Sequence, residues 1–300
     1  MQTRPMPYDA HDDFVAPARA HAQVWRLALG LVLIMVIVIG LNALFGQAIL
    51  RLAGEGLHRD ITRIETPGQT AGGVLILLYS FLIMTLAAAV VTLQLHRRNP
   101  LTLLGPWPLM LRQFGATLAV LIAIAIAISV LPPWGFADPL VPGLSPLTWI
   151  LLLPVSLVAV LVQTSAEEIL FRGYIQQQLA ARFRSPLVWM VAPAVLFGLL
   201  HYRPDAGANG WLIMAWAAGF ALAAADLTAR AGTLGPAIAL HFVTNASALL
   251  ILSAEGTLSG LALFRLQIDM ADPVALRPYL MIDAMLILIG WLAARLAIRR

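Results

Sequence analysis

Two adjacent glutamates and an arginine carry the first chemistry that the sequence offers, in the motif Glu167-Glu168-Ile-Leu-Phe-Arg172. On a helix, Glu168 and Arg172 share one face at a spacing of i,i+4, so we expect them to form an ion pair. Glu167 points about 100° away from that face and has no matching cation nearby. A carboxylate without such a partner in a low-dielectric setting is suited to act as a general base. The alternative interpretation is an interfacial carboxylate in water beside a structural ion pair.

Two further motifs place imidazole and amide groups on hydrophobic segments. Phe197-Gly-Leu-Leu-His201 puts an aromatic ring and a histidine on one helix face. His241-Phe-Val-Thr-Asn245 puts a histidine and an asparagine on one face at i,i+4. Taken alone, each has a structural explanation: an interfacial histidine in the first motif, and polar contacts between membrane helices in the second.

Together the motifs offer the groups that hydrolysis of a peptide bond requires, on three separate helices that could converge in a bundle. Glu167 and His201 could deprotonate a water molecule, while His241 and Asn245 could donate hydrogen bonds to the developing oxyanion. The alternative is a divalent, zinc-like metal ion held by Glu167, His201 and His241, which would lower the pKa of a bound water. The sequence contains no HExxH motif, so it does not predict an ordinary zinc protease.

The elements that must position these residues are membrane helices, as the composition indicates. Hydrophobic residues make up 60% of the 300 residues and charged residues 11%, with a mean hydropathy of +0.86. Soluble domains contain about 25% charged residues. The chain has no cysteine, which excludes disulfides, thiolate metal ligands and a cysteine nucleophile. All 19 basic residues are arginines, and we attribute the net charge of +4 to membrane boundaries rather than to nucleic-acid binding.

The predicted fold class is an all-α, polytopic transmembrane bundle. A spanning helix needs about 20 mostly apolar residues. Stretches of this kind predict about eight spans, at 27–50, 72–95, 114–131, 147–163, 187–201, 211–225, 234–252 and 278–298. We therefore divide the chain into a polar cytoplasmic N-terminal segment, 1–26, and a single integral-membrane domain, 27–300, whose motif-bearing core is 147–252.

The distribution of arginines predicts that both termini lie in the cytoplasm, because positively charged residues are more frequent in loops on that side of the membrane. Alternate loops and termini hold thirteen arginines on one side and six on the other. The first group is Arg4, Arg19, Arg26, Arg97, Arg98, Arg112, Arg172, Arg182, Arg184, Arg230, Arg295, Arg299 and Arg300, and the second is Arg51, Arg59, Arg63, Arg203, Arg265 and Arg277. This pattern is compatible with a bacterial inner membrane.

The predicted spans conflict with the predicted site at one point. Glu167 lies at the cytoplasmic end of the fourth span, whereas His201 lies at the far end of the fifth. From Leu187 to His201 a helix rises about 21 Å, too far for the two groups to share a water molecule. Either the fifth span begins well outside the hydrocarbon, or the fourth span is longer and tilted.

The three motifs, in this order on successive hydrophobic segments, resemble those of the CPBP family of CAAX prenyl proteases, bacteriocin-processing enzymes and abortive-infection-like proteins. The matching residues are Glu167, Glu168 and Arg172 (EExxxR), Phe197 and His201 (FxxxH), and His241 and Asn245 (HxxxN). The resemblance covers about 147–252.

This resemblance implies an eight-helix intramembrane endopeptidase in which Glu167 and His201 activate water and His241 and Asn245 form the oxyanion site. It assigns supporting roles to Glu168, Arg172 and Phe197. The family is commonly described as metalloproteases, although a mechanism based on glutamate and histidine can be written without a metal. The implied partners are the lipid bilayer and a membrane-associated peptide or protein substrate.

Two other functions are compatible with the sequence. One is a non-catalytic membrane scaffold or immunity-type binding protein that retains the motifs. The other is a transporter, since buried ionisable residues such as Asp226 and Asp283 also build proton relays. Transport is disfavoured because the chain has no evident internal repeat. Asp226 has a simpler explanation, an ion pair with Arg230 at i,i+4.

Overall fold

The computed structural model describes residues 8–63, 66–131, 140–256 and 258–299. Within these ranges it is a bundle of α-helices with one small sheet. The helices are α1 (Asp9–Val15), α2 (Val24–Ala53), α3 (Glu55–Thr62), α4 (Ala71–Ser80), α5 (Leu82–Gln94), α6 (Trp107–Val130), α7 (Pro146–Glu168), α8 (Gln177–Arg182), α9 (Ala192–Leu200), α10 (Asn209–Ala231), α11 (Gly235–Ala246) and α12 (Pro273–Ala297).

Short 3-10 and π-helical segments connect or extend these helices. The 3-10 segments are Ala16–His21, Pro100–Leu103, Pro204–Ala206 and Ser259–Leu261, and the π-helical ones are Ile169–Gln176, Leu187–Val191 and Ser247–Ile251. The sheet contains β1 (Leu140–Pro142), β2 (Leu252–Ala254) and β3 (Phe264–Leu266). β3 lies in the middle, antiparallel to β1 and parallel to β2.

Six helical segments of the described chain are long and apolar enough to cross a membrane: Val24–Ala53, Ala71–Gln94, Pro100–Val130, Pro146–Arg182, Asn209–Ala231 and Pro273–Ala297. Two shorter apolar helices, Leu187–Leu200 and Gly235–Ile251, correspond to the predicted fifth and seventh spans. The protein is therefore an integral membrane protein with a helical bundle, as predicted. The count of eight spans is not confirmed, because these two segments are below the length needed for an independent crossing.

The side chains are sorted as a lipid environment requires. Large apolar residues point outward along α2, where Met35, Val36 and Ile39 are all more than half exposed. The interior instead uses small residues, such as Ala217, Ala221 and Ala224 on α10, which are fully buried. Small residues allow the backbones of membrane helices to approach closely, and this brings the motif-bearing helices together.

The helix that carries the two glutamates is much longer than the sequence predicted. α7 continues through the π-helical segment Ile169–Gln176 into α8, so that Pro146–Arg182 forms a helical rod of 37 residues. The chain then turns back into the segment Leu187–Leu200. From Glu167 to Arg182 the rod rises about 22 Å, which matches the rise of about 21 Å from Leu187 to His201. The two residues therefore lie at similar heights above the turn, and the longer fourth helix resolves the conflict.

The polar N-terminal segment folds onto the bundle. In its described part, residues 8–26, α1 packs with Phe14 and Val15 against Leu234 and Ile238 at the start of α11. Residues 1–7 of the predicted segment lie outside the described residues. The boundary at residue 26 stays a prediction, since α2 begins at Val24.

Candidate active site

The centre of the site is His241, which lies between the two glutamates of the first motif. Antiparallel packing of α11 against α7 brings them together. The Nδ1 atom of His241 is 2.8 Å from Oε1 of Glu168, and its Nε2 atom is 3.4 Å from Oε2 of Glu167. Both ring nitrogens of His241 therefore face carboxylates, in a site where the histidine side chain is only 4% exposed.

The predicted ion pair between Glu168 and Arg172 is confirmed. Nη1 of Arg172 donates to Oε1 of Glu168 at 2.8 Å, and Nη2 donates to the carbonyl oxygen of Ala221 on α10 at 3.0 Å. The side chains of this pair are 0% and 2% exposed. The guanidinium also lies 5.2 Å from the ring centroid of Phe197 and 6.0 Å from that of Phe220. Arg172 thus ties the glutamate helix to α9 and α10.

Glu167 has a neighbour that the sequence did not predict. We expected no matching cation beside it, whereas the structure places His241 at 3.4 Å, because residues far apart in the chain meet across two packed helices. The Glu167 side chain is 13% exposed, and its Oε2 atom is buried without a hydrogen-bond partner in the described chain. This oxygen therefore has a lone pair that no hydrogen bond uses and that can accept a proton.

Asn245 contacts a residue that sequence reasoning missed, Gln163. The Nδ2 atom of Asn245 donates to Oε1 of Gln163 at 2.9 Å. Gln163 precedes Glu167 by one turn of α7, and Asn245 follows His241 by one turn of α11, so the two contacts repeat the same antiparallel register. A signal was present in the sequence, because Gln163 shares the face of Glu167 at i,i+4.

His201 reaches this cluster through Phe197. It caps the C-terminus of α9, where its Nδ1 atom lies 2.8 Å from the carbonyl oxygen of Phe197. Its ring stacks on the Phe197 ring at 4.4 Å between centroids, and the Phe197 ring lies 6.2 Å from the ring of His241. Phe197 therefore contacts both imidazoles, and His201 is linked to the cluster through that ring.

The residues do not fit a metal centre. Among the described residues no group of three or more histidine, aspartate or glutamate side chains is arranged to hold a metal ion. Both nitrogens of His241 face glutamates, and the ring of His201 stacks on Phe197. The set Glu167, His201 and His241, expected as ligands for a divalent metal, is not such a group among the described residues, and the metal itself stays a prediction.

The acidic residues considered for a transporter lie apart from this cluster. Asp226 accepts hydrogen bonds from Nε of Arg230 at 2.8 and 2.9 Å, as the i,i+4 spacing predicted. It also accepts from Tyr8 and Trp291, so its oxygens are saturated. Asp283 contacts Trp216. Within the described chain, the two aspartates are held by separate structural contacts.

Comparison with known proteins identifies the segment that builds this site. Residues 147–247 match the model of the type II CAAX prenyl endopeptidase Rce1-like family, a stretch that includes Glu167, His201, His241 and Asn245. No curated protein and no solved structure matches the chain. Residues 147–247, about a third of the chain, are therefore similar to the Rce1-like family, in agreement with the resemblance to CAAX-type proteases that the three motifs predicted.

Proposed function

We propose that this protein is an intramembrane endopeptidase that uses Glu167 and His201 to activate water and hydrolyses a peptide bond of a membrane-associated substrate near the membrane surface. The observation that carries the proposal is the cluster of Glu167, Glu168 and His241, with Asn245 one turn away, inside the Rce1-like segment. We also propose that the membrane is a bacterial inner membrane with both termini in the cytoplasm, on the arginine distribution alone.

In the proposed reaction, Glu167 takes a proton from water as the water oxygen attacks the carbonyl carbon of the substrate. The Oε2 atom, which has no hydrogen-bond partner in the described chain although Nε2 of His241 lies 3.4 Å away, supports this role. His201 assists as a hydrogen-bond acceptor, because the contact of its Nδ1 with the Phe197 carbonyl oxygen requires the proton on Nδ1 and leaves the Nε2 lone pair available. When the C–N bond breaks, Glu167 returns the proton to the leaving amine nitrogen.

His241 and Asn245 are proposed to stabilise the oxyanion of the tetrahedral intermediate. His241 donates from Nδ1 to Glu168, so it can donate from Nε2 only as the imidazolium. Asn245 uses one of its two Nδ2 hydrogens on Gln163 and keeps the other for the oxyanion. Preorganised donors of this kind typically contribute 10²- to 10³-fold to the rate, as an order of magnitude.

The ligand geometry supports water activation without a metal, which gives a direct prediction. We expect cleavage by the purified protein to survive exhaustive dialysis against a chelator, with no metal retained in stoichiometric amount. Elemental analysis and the cleavage rate before and after dialysis check this. Loss of activity on dialysis, with recovery on adding a divalent metal, would show the proposed mechanism to be wrong.

The function is tested by reconstituting the purified protein in liposomes with a prenylated CAAX peptide and a panel of short membrane-adjacent peptides. Wild type, Glu167→Gln and His201→Ala are compared by mass spectrometry of the products. We expect wild type to cleave at least one peptide and both variants to lose most of that activity. Equal cleavage by all three contradicts the assigned site, and no cleavage of any peptide by wild type favours the binding scaffold.

A further inference from the structure

We infer that Gln163 is a positioning residue for the same reaction: it holds the Asn245 amide in the one orientation that presents N–H to the oxyanion. The inference rests on the proposed function. Its basis is the hydrogen bond from Nδ2 of Asn245 to Oε1 of Gln163 at 2.9 Å, between a glutamine that is 6% exposed and the partly buried asparagine.

The need for such a residue follows from the chemistry of an amide. The oxygen and nitrogen ends of an asparagine side chain have nearly the same shape, so the group can rotate by 180° at little steric cost. Rotated, Asn245 would direct the lone pairs of Oδ1 toward the developing negative charge and repel it. In the structure Oε1 of Gln163 is the acceptor, which favours the orientation with Nδ2 toward α7 and leaves the second Nδ2 hydrogen in a defined direction.

The placement of Gln163 links this role to the rest of the site. Gln163 and Glu167 are one turn apart on α7, and Asn245 and His241 are one turn apart on the antiparallel α11. The two cross-helix contacts are therefore about 6 Å apart along the helix axes. One pair of helices thus carries the proposed base, both proposed oxyanion donors and the acceptor that orients one of them.

Two variants remove the contact in different ways. Gln163→Met keeps the volume of the side chain but has no acceptor oxygen, and Gln163→Asn keeps the amide but is too short to reach. We expect both to lower kcat about 10-fold or more, less than the 10²- to 10³-fold typical of removing an oxyanion donor, while KM changes by less than about twofold. Gln178→Met is the matched control, since Gln178 is a buried glutamine on the same rod that hydrogen-bonds with His96 instead.

A double-mutant cycle with Asn245→Ala separates positioning from a structural role. If Gln163 acts through Asn245, adding Gln163→Met to Asn245→Ala costs no further activity. Additive losses, a raised KM with unchanged kcat, or wild-type activity in both Gln163 variants overturns the inference. Loss of activity in Asn245→Ala alone then leaves the proposed function standing. Wild-type activity in Asn245→Ala instead contradicts the proposed oxyanion site, and the inference fails with it.

Discussion

At the residue scale, Glu168 is the charge around which the site is assembled. Its Oε1 atom is 2.8 Å from both Nη1 of Arg172 and Nδ1 of His241, and the side chain is fully buried. A buried carboxylate is costly unless it is paired and hydrogen-bonded. Glu168 meets that condition at Oε1, with one partner on its own helix and one on α11, while its Oε2 atom is buried without a hydrogen-bond partner in the described chain. It therefore couples the stability of α7 to the orientation of the proposed oxyanion donor His241.

Removing Arg172 should expose this dependence. We expect Arg172→Met to lower the free energy of unfolding by about 3–5 kcal/mol, because it removes the guanidinium that compensates the buried carboxylate of Glu168 and leaves only His241 beside it. Adding Glu168→Gln to it should recover part of the loss. Denaturation in detergent, compared with wild type, measures both effects. An Arg172→Met protein as stable as wild type would show that the buried pair does not carry this energy.

What the sequence could predict at this scale depended on the distance along the chain. The pair Glu168 and Arg172 follows from helix geometry alone, because both residues are on one turn. The motifs predicted that Glu167 and His241 share one site, but not their direct contact, since it depends on how two distant helices pack. Gln163 was missed because a neutral amide in an apolar stretch carries no charge pattern.

At the element scale, the length of the rod Pro146–Arg182 decides the height of the site. Hydropathy predicted the apolar middle part of each helix. It did not predict the extension of the rod beyond Glu168, because that part contains consecutive glutamines, which are buried in the structure. Each glutamine contacts a different element. Gln176 donates to the Ala225 carbonyl oxygen on α10, Gln177 to that of Phe14 on α1, and Gln178 contacts His96 after α5. Tertiary contacts therefore bury a segment that looks polar in sequence.

The close approach of α9 and α10 gives a prediction at this scale. A Cβ atom at Gly198 would lie 2.6 Å from the Met214 carbonyl oxygen and 2.9 Å from the Ala218 Cβ atom, so Gly198→Ala must push the helices apart. We expect it to displace Phe197 and His201, lowering both the thermal stability and the cleavage rate, the latter about 10-fold or more given how steeply rates depend on alignment.

Gly219→Ala on α10 is the matched control, because a Cβ atom there meets nothing within 4 Å. We expect this variant to keep wild-type activity and to be as stable as wild type or about 1 kcal/mol more stable, since alanine is the better helix former. Thermal denaturation and cleavage assays on Gly198→Ala and Gly219→Ala test this expectation. Equal behaviour of the two would contradict the role assigned to the α9–α10 contact.

At the scale of the whole molecule, two segments outside the membrane-spanning helices pack against the bundle: the N-terminal segment and the loop after α5. Each makes this contact through a histidine, His11 in the first and His96 in the second. Burial lowers the pKa of His11 to about 4. Burial, together with the nearby Arg98 and Arg26, lowers the pKa of His96 to about 4. His11 packs against Trp189 at 4.5 Å between ring centroids, and His96 contacts the Tyr174 hydroxyl at 2.8 Å. The fold therefore holds both histidines in the neutral form.

This predicts a stability that falls in mild acid. Between the ordinary pKa of 6.5 and about 4, the unfolded chain binds more protons than the folded protein. The free energy of unfolding should therefore decrease as pH falls through that window, by at most about 1.4 kcal/mol per pH unit for each histidine. Denaturation midpoints from pH 8 to pH 4 measure it. The stability of the double variant His11→Gln/His96→Gln should depend less on pH than that of wild type. The same pH dependence in both proteins would contradict the assignment of the effect to these two histidines.

Composition and hydropathy were sufficient to predict a helical membrane protein, because the apolar stretches that lipid requires are long and unambiguous. They could not give the number of crossings, since Leu187–Leu200 and Gly235–Ile251 owe their burial and position to their neighbours. These two short helices carry His201, at the end of the first, and the pair His241 and Asn245. Three of the four residues with the proposed chemistry thus lie where hydropathy is least informative, and Glu167 on the long rod is the exception.

The central claim is that Glu167 is the base of a peptidase, and one rate comparison tests it most directly. The single-turnover rate of the best peptide substrate is measured for wild type, Glu167→Gln and the control Glu255→Gln, whose carboxylate pairs with Arg265 near the sheet. We predict a loss of about 10²- to 10⁴-fold for Glu167→Gln, an unchanged denaturation midpoint, and wild-type activity for the control. A folded Glu167→Gln protein that cleaves at the wild-type rate would contradict the account.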